Sequence, residues 1–134
     1  MKWNVDRNKA DEICSFNRHY AERTGYAWGS EITWVSEIEG LDEGAEVTYY
    51  DSVTGKPLFI APRGRSMSEF MDESKHHGWP SFRDEEVVWE NVRVLKDGET
   101  VSLAGTHLGH DLPDFSGNRY CINLVSIAGN PLRR

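Results

Sequence analysis

Residues 87–103 read Val87-Val88-Trp89-Glu90-Asn91-Val92-Arg93-Val94-Leu95-Lys96-Asp97-Gly98-Glu99-Thr100-Val101-Ser102-Leu103. Apolar, β-branched residues alternate on both sides of Asp97-Gly98. That dipeptide suits a two-residue turn with positive φ, so the stretch predicts a β-hairpin. Shorter runs of the same character, Ile32 to Val35, Val47 to Tyr50 and Leu58 to Ile60, are punctuated by Gly40, Gly44 and Gly55 and read as further strands. A last strand is expected over Arg119 to Ile127, where Tyr120, Ile122 and Leu124 recur at period two. Two segments carry helical spacing instead. In the first, Asp6 can cap a helix whose stripe is Ile13, Phe16 and Tyr20, with Gly25 as its stop. In the second, residues 66–75, Met67, Phe70 and Met71 oppose Glu69, Asp72 and Glu73. The expected fold class is mainly β (α+β): a small antiparallel β-sheet domain with an N-terminal helix and one short inserted helix.

The composition narrows the function classes. The chain has 134 residues, 15 Lys+Arg against 22 Asp+Glu, and two cysteines. That length fits a single domain, 1–134, with an N-terminal helix and extension over 1–50 and a β core over 51–130. Two thiols cannot form a four-thiolate zinc site or a disulfide scaffold. A pI near 5.2 argues against nucleic-acid binding, which relies on neutralising phosphates. No apolar run approaches the roughly 20 residues of a membrane span, and the N-terminus, MKWNVDRNKADE, is too acidic and polar for a targeting peptide. A soluble, cytoplasmic, monomeric domain is expected.

Three stretches can carry chemistry. If Tyr120, Ile122 and Leu124 face the core, Arg119, Cys121 and Asn123 share the opposite face. A guanidinium beside a thiol favours the reactive thiolate. The structural alternative is a small buried hydrophobe. Just upstream, residues 107–114 place His107, His110, Asp111 and Asp114 in what reads as a short loop held by Gly109 and Pro113, able to fold back over the thiol. An imidazole there can protonate a leaving oxygen, oriented by a carboxylate. His107, His110, Asp114 and Cys121 are also possible metal ligands, but the spacing matches no established metal motif. Third, Gly78-Trp79-Pro80-Ser81-Phe82 forms a stiff turn that can hold an indole against a methyl or thioether group.

Taken in order, Gly55-Lys56-Pro57-Leu58-Phe59, Gly78-Trp79-Pro80-Ser81-Phe82, His107-Leu108-Gly109-His110, Asp114 and Arg119-Tyr120-Cys121-Ile122-Asn123 resemble the B-type methionine sulfoxide reductases. The resemblance covers residues 55–127. It implies that Cys121 is the nucleophile, that His107, His110 and Asp114 handle the sulfoxide oxygen, and that Arg119 and Asn123 flank the nucleophile. It also implies that Trp79 and Phe82 bind the substrate. Methionine-R-sulfoxide, free or in proteins, would be reduced through a cysteine sulfenic acid, with thioredoxin or a small thiol as external reductant. Many members of that family bind structural zinc through two Cys-x-x-Cys pairs. Here those places hold Asp51, Thr54, Val101 and Ala104, so no metal or other cofactor is expected. The common resolving cysteine is also missing, with His76 and His77 in its place, which leaves Cys14 as the internal resolving candidate. A competing reading is a non-catalytic binding module on the same scaffold, with Trp79, Phe82, His107 and His110 as cage walls. An ordinary Cys121 thiol pKa near 8.5 would favour it.

Overall fold

The computed structural model describes residues 1–16 and 21–131. It contains seven strands: β1 (Val47–Tyr50), β2 (Pro57–Ala61), β3 (Ser81–Phe82), β4 (Val92–Val94), β5 (Glu99–Ser102), β6 (His107–Asp111) and β7 (Tyr120–Ile122). β1 and β2 form a two-stranded ribbon, and the other five form one sheet in the order β3-β7-β6-β5-β4. Every pairing is antiparallel.

The hairpin read from the sequence is β4–β5, turning at Asp97-Gly98 with Gly98 at φ +92°. Its first residues fall outside the strand: Val87 makes an isolated bridge to Phe59, and the Val88 N–H donates to the Leu58 carbonyl. Three other expectations are corrected. Residues 32–35 do not form a strand. Trp34–Glu39 is a short helix, α2, because Trp34 and Ile38, four residues apart, both bury into the core, and that spacing is helical. Residues 107–111 are a strand in the interior of the sheet rather than a loop. The last strand ends at Ile122, and Leu124–Ser126 turns as a 3-10 helix.

The N-terminal helix begins as expected, with Asp6 accepting a hydrogen bond from the Lys9 N–H at the start of α1 (Arg7–Asp11). It continues as a π-helical turn over Glu12–Phe16. Tyr20, and the Phe16 side chain, lie outside the described residues. The inserted helix is α3 (Met67–His77), started by a reciprocal Ser66–Glu69 capping box.

The ribbon, α2, α3 and one face of the sheet share a single core. Its centre is aromatic: Phe59 stacks on Phe82 at 4.3 Å between ring centroids, Tyr49 and Phe70 pack around them, and the Trp34 indole donates to the Tyr49 hydroxyl at 3.0 Å. Leu108, Tyr120 and Ile122 complete it from the sheet, with Leu124 from the 3-10 turn that follows. A smaller cluster of Ala10, Ile13, Tyr26 and Val125 packs the N-terminal segment against the turn that follows β7.

Candidate active site

β7 positions Cys121. Its neighbours Tyr120 and Ile122 are buried in the core, so the pleat turns Cys121 to the other face. The ladder then sets its companions. Ser81 on β3 and His110 on β6 stand directly opposite Cys121, and Glu99 on β5 stands opposite His110. The row across the sheet is therefore Ser81, Cys121, His110, Glu99. Directly paired antiparallel residues hold their Cβ atoms about 4.5–5.5 Å apart.

Gly109 makes this row possible. A Cβ at that position would lie 2.0 Å from the Cys121 carbonyl oxygen and 2.9 Å from the Ile122 Cα. Only a residue without a side chain lets β6 come this close to β7. The same glycine, together with polar neighbours, gives residues 107–114 their loop-like composition.

The thiol has polar company. Arg119 Nη1 lies 2.6 Å from Cys121 Sγ, and the Ser81 hydroxyl lies at 3.8 Å. Cys121 is only 8% exposed. Burial pushes its thiol pKa up, and the Arg119 charge with the two hydrogen bonds pulls against that without cancelling it. Arg119 favours the thiolate, as the sequence suggests, but desolvation is the larger effect.

His107 is fully buried, and its Nδ1 lies 2.9 Å from Glu99 Oε2. Its ring meets that of His110 edge-on at 5.7 Å. The carboxylate that holds an imidazole is therefore Glu99, which the sequence reading did not single out. Its only signal would have been strand register, which places it opposite His110. Asp114 goes elsewhere. It forms an ion pair with Arg83 at 2.9 Å and sits 3.7 Å from Arg119 Nε, with no contact to His107 or His110 among the described residues. Hydrogen bonding from Arg83 and the Ser116 N–H holds its carboxyl down at about 2. Arg83 also pairs with Glu73 on α3, which is shared with Arg65. Asp114 thus reaches the thiol only indirectly, through Arg119.

Asn123 is buried, donating from Nδ2 to the Leu108 carbonyl at 3.0 Å and accepting at Oδ1 from the Glu22 N–H at 2.9 Å. Trp79 is half-buried, and its indole donates to the Glu22 carbonyl at 3.0 Å. Phe82 corrects its assignment as a substrate wall: at 0% exposure it belongs to the core, stacked on Phe59. Cys14, the internal resolving candidate, is buried. Its thiol lies 3.5 Å from the Ser126 hydroxyl, which in turn donates to the His107 carbonyl. Burial pushes the Cys14 thiol up to about 11, the Ser126 contact opposing. Both cysteines are free thiols.

The four positions read against a zinc site do not suit one. Asp51 is buried and accepts the Thr106 hydroxyl at 3.0 Å, Thr54 Oγ1 accepts from the Lys56 N–H, and Val101 and Ala104 offer no donor side chain. A hydrogen bond joins the 51–55 turn to the β5–β6 turn there. Glu73, His77 and Asp114 also converge within 4.8 Å, but Arg65 and Arg83 already neutralise the two carboxylates. A surface concavity of about 1170 Å³ between residues 38–46 and 62–72 includes none of Cys121, His107 or His110. Among the described residues no helix is long and apolar enough to cross a membrane.

Comparison with known proteins identifies a curated relative, "Peptide methionine sulfoxide reductase MsrB" of Leifsonia xyli subsp. xyli (strain CTCB07). It is 36% identical over 115 residues, covering 77% of this chain and 75% of that protein. No protein-family model matches the chain, and no solved structure matches it.

Proposed function

The chain belongs to the MsrB family of peptide methionine sulfoxide reductases, and from that premise we propose that it reduces methionine-R-sulfoxide with Cys121 as nucleophile. It is an oxidoreductase. The observation that carries the assignment of the nucleophile is the contact of Cys121 Sγ with Arg119 Nη1 at 2.6 Å, on the sheet row that also holds His110.

In this reading the Cys121 thiolate, held against Arg119, attacks the sulfoxide sulfur. His110, opposite the thiol on β6, delivers a proton to the departing oxygen. Glu99 holds the His107 ring against that of His110 and so keeps the imidazole pair oriented. A positioned proton donor contributes roughly two to four powers of ten when a poor leaving group departs. In net terms one Cys–SH and one sulfoxide become Cys–SOH and a thioether. The oxygen passes to Cys121, and the substrate sulfur is reduced by two electrons. Two external thiols then return Cys–SOH to Cys–SH, forming one disulfide and one water. Trp79, half-buried and linked to Asn123 through the Glu22 main chain, is the wall for the substrate's methyl group.

Cys14 is the candidate internal resolving thiol. Its burial and its pKa near 11 keep it protonated and out of reach in this conformation. That favours direct reduction of the sulfenic acid by thioredoxin or a small dithiol. The protein acts as a cytoplasmic monomer without a metal cofactor.

Replacing Cys121 by Ser should abolish reduction of the R epimer in a dithiothreitol assay while leaving the fold intact; retained turnover overturns the assignment. His110→Asn should lower kcat by about a hundredfold or more with a smaller effect on KM. In Cys14→Ser, thioredoxin-coupled turnover should be unchanged, and accumulation of a dimedone-trappable sulfenic acid would instead assign Cys14 as the resolver.

A further inference from the structure

Among the described residues, two buried side-chain atoms have no hydrogen-bond partner: Arg119 Nε, inside the site described above, and Glu22 Oε1. Glu22 is 2% exposed and no step of the proposed reaction uses it. Other buried carboxylates are satisfied, Glu86 by Arg65 and main-chain N–H groups, and Asp51 by Thr106. A buried carboxyl with an unpartnered oxygen costs stability.

Residue 22 is a junction. Its carbonyl accepts the Trp79 indole N–H at 3.0 Å. Its N–H donates to Asn123 Oδ1 at 2.9 Å. Its carboxyl Oε2 accepts the Val125 N–H at 3.2 Å. The two main-chain bonds are available to any amino acid but proline at this position. What glutamate adds is the third, a side-chain tether to the turn immediately after Asn123. One residue thereby grips the β7 exit at two points two residues apart, and holds the indole from a third direction. Next to it the Gly25 N–H donates to the Gly78 carbonyl at 2.8 Å, which fastens the same segment to the start of the Trp79 turn.

We infer that Glu22 is a positioning residue of the reductase site, whose carboxyl tether to Val125 sets the Trp79 indole and the Asn123 amide in register with Cys121. This inference rests on the reading of Cys121 and Trp79 given under Proposed function. The tether requires only an acceptor oxygen, which the neutral acid supplies as well as the anion. Burial favours the neutral acid, pushing Glu22 up to about 7. The N–H groups of Leu124 and Val125 and the charges of Lys9 and Arg23 oppose this, and Tyr26 also faces the carboxyl. As pH rises through that value, a buried negative charge forms with one oxygen unpartnered, which favours hydration and loosening of the junction. Substrate binding therefore weakens with rising pH.

The test measures KM and kcat for the R sulfoxide with dithiothreitol across the neutral range, in wild type, Glu22→Gln and Glu22→Ala of the full chain. Wild type should show KM rising as Glu22 ionises. Glu22→Gln, which keeps the acceptor oxygen and cannot ionise, should hold KM within about twofold of the wild-type low-pH value and lose that dependence. Glu22→Ala should raise KM by about tenfold, the scale of one buried hydrogen bond, with kcat changed less. Cys121 alkylation should be unaffected in both variants. A Gln variant that keeps the wild-type pH dependence of KM overturns the inference, as does an Ala variant with wild-type KM. If the Ala variant does not fold, the Gln profile decides alone. Failure of the parent reading looks different: wild type would then reduce neither epimer, or Cys121→Ser would stay active.

Discussion

Cys121 sits where two opposing effects meet, and Arg119 determines how far burial prevails. Removing the guanidinium leaves desolvation unopposed by any nearby cation in direct contact with the sulfur. Arg119→Met should therefore push the thiol further up and slow alkylation of Cys121 at neutral pH by about tenfold, the scale of one charge-assisted hydrogen bond. The pH dependence of iodoacetamide labelling, with Cys14 replaced by Ser, measures it directly, and an unchanged profile would mean that the 2.6 Å contact does not stabilise the thiolate. Alternation alone placed Arg119, Cys121 and Asn123 opposite the core, and in the structure Arg119 and Cys121 do meet there, while Asn123 lies just past the strand end. It could not choose the carboxylate serving the imidazoles. Asp114, near in sequence, turns to Arg83, while Glu99 reaches His107 from the neighbouring strand.

At the scale of elements, the β6–β7 pairing brings an imidazole strand beside the thiol strand. It depends on the absence of a side chain at residue 109. In Gly109→Ala the new methyl would meet the Cys121 carbonyl at 2.0 Å, and neither partner is a flexible side-chain end. The strands must part. A loss of at least about 1–3 kcal/mol in unfolding free energy is expected, the range for overpacking a close contact, together with most of the activity. Urea unfolding and the R-sulfoxide assay check both halves, and a stable, active Ala variant would contradict the register. The same glycine explains why residues 107–114 read as a loop. Glycine, proline and charged residues are turn-formers by local propensity, yet pairing on both sides overrides that preference. Residues 32–35 erred in the opposite direction: β-branched and aromatic composition suggested a strand, but burial of Trp34 and Ile38 on one side of α2 favours the helix.

Over the whole molecule, two sets of carboxyls give stability opposite pH trends. Asp114, held at about 2 chiefly by Arg83, stabilises the fold above its unfolded value near 3.8 and loses that contribution as pH falls toward 2. Glu73, whose pairs with Arg83 and Arg65 overcome its burial, is also lowered and acts in the same sense. Glu22 is raised. Its neutral form favours the fold fully below about 4.5, and that contribution is lost progressively as pH rises from 4.5 to about 7. The melting temperature should therefore climb out of the acid range and then decline toward neutrality, and Glu22→Gln should remove the decline. A melting temperature that rises steadily from pH 4.5 to 7 would contradict the Glu22 assignment.

The amino-acid sequence by itself determined the β-dominated fold class, the Asp97-Gly98 hairpin, the inserted helix near residues 66–75, the face carrying Cys121 and the resemblance to the reductase family. Each of these is written in local periodicity, turn chemistry or a contiguous motif, which a single strand or helix imposes on its own residues. Tertiary structure decided the rest: β6 as a sheet strand, Glu99 rather than Asp114 on the imidazole pair, Phe82 in the core, and Glu22 joining Trp79 to Asn123. Those contacts join different elements, from 8 positions apart for Glu99 and His107 to 101 for Glu22 and Asn123, and only folding, through the burial and hydrogen bonding it selects, determines which of them meet.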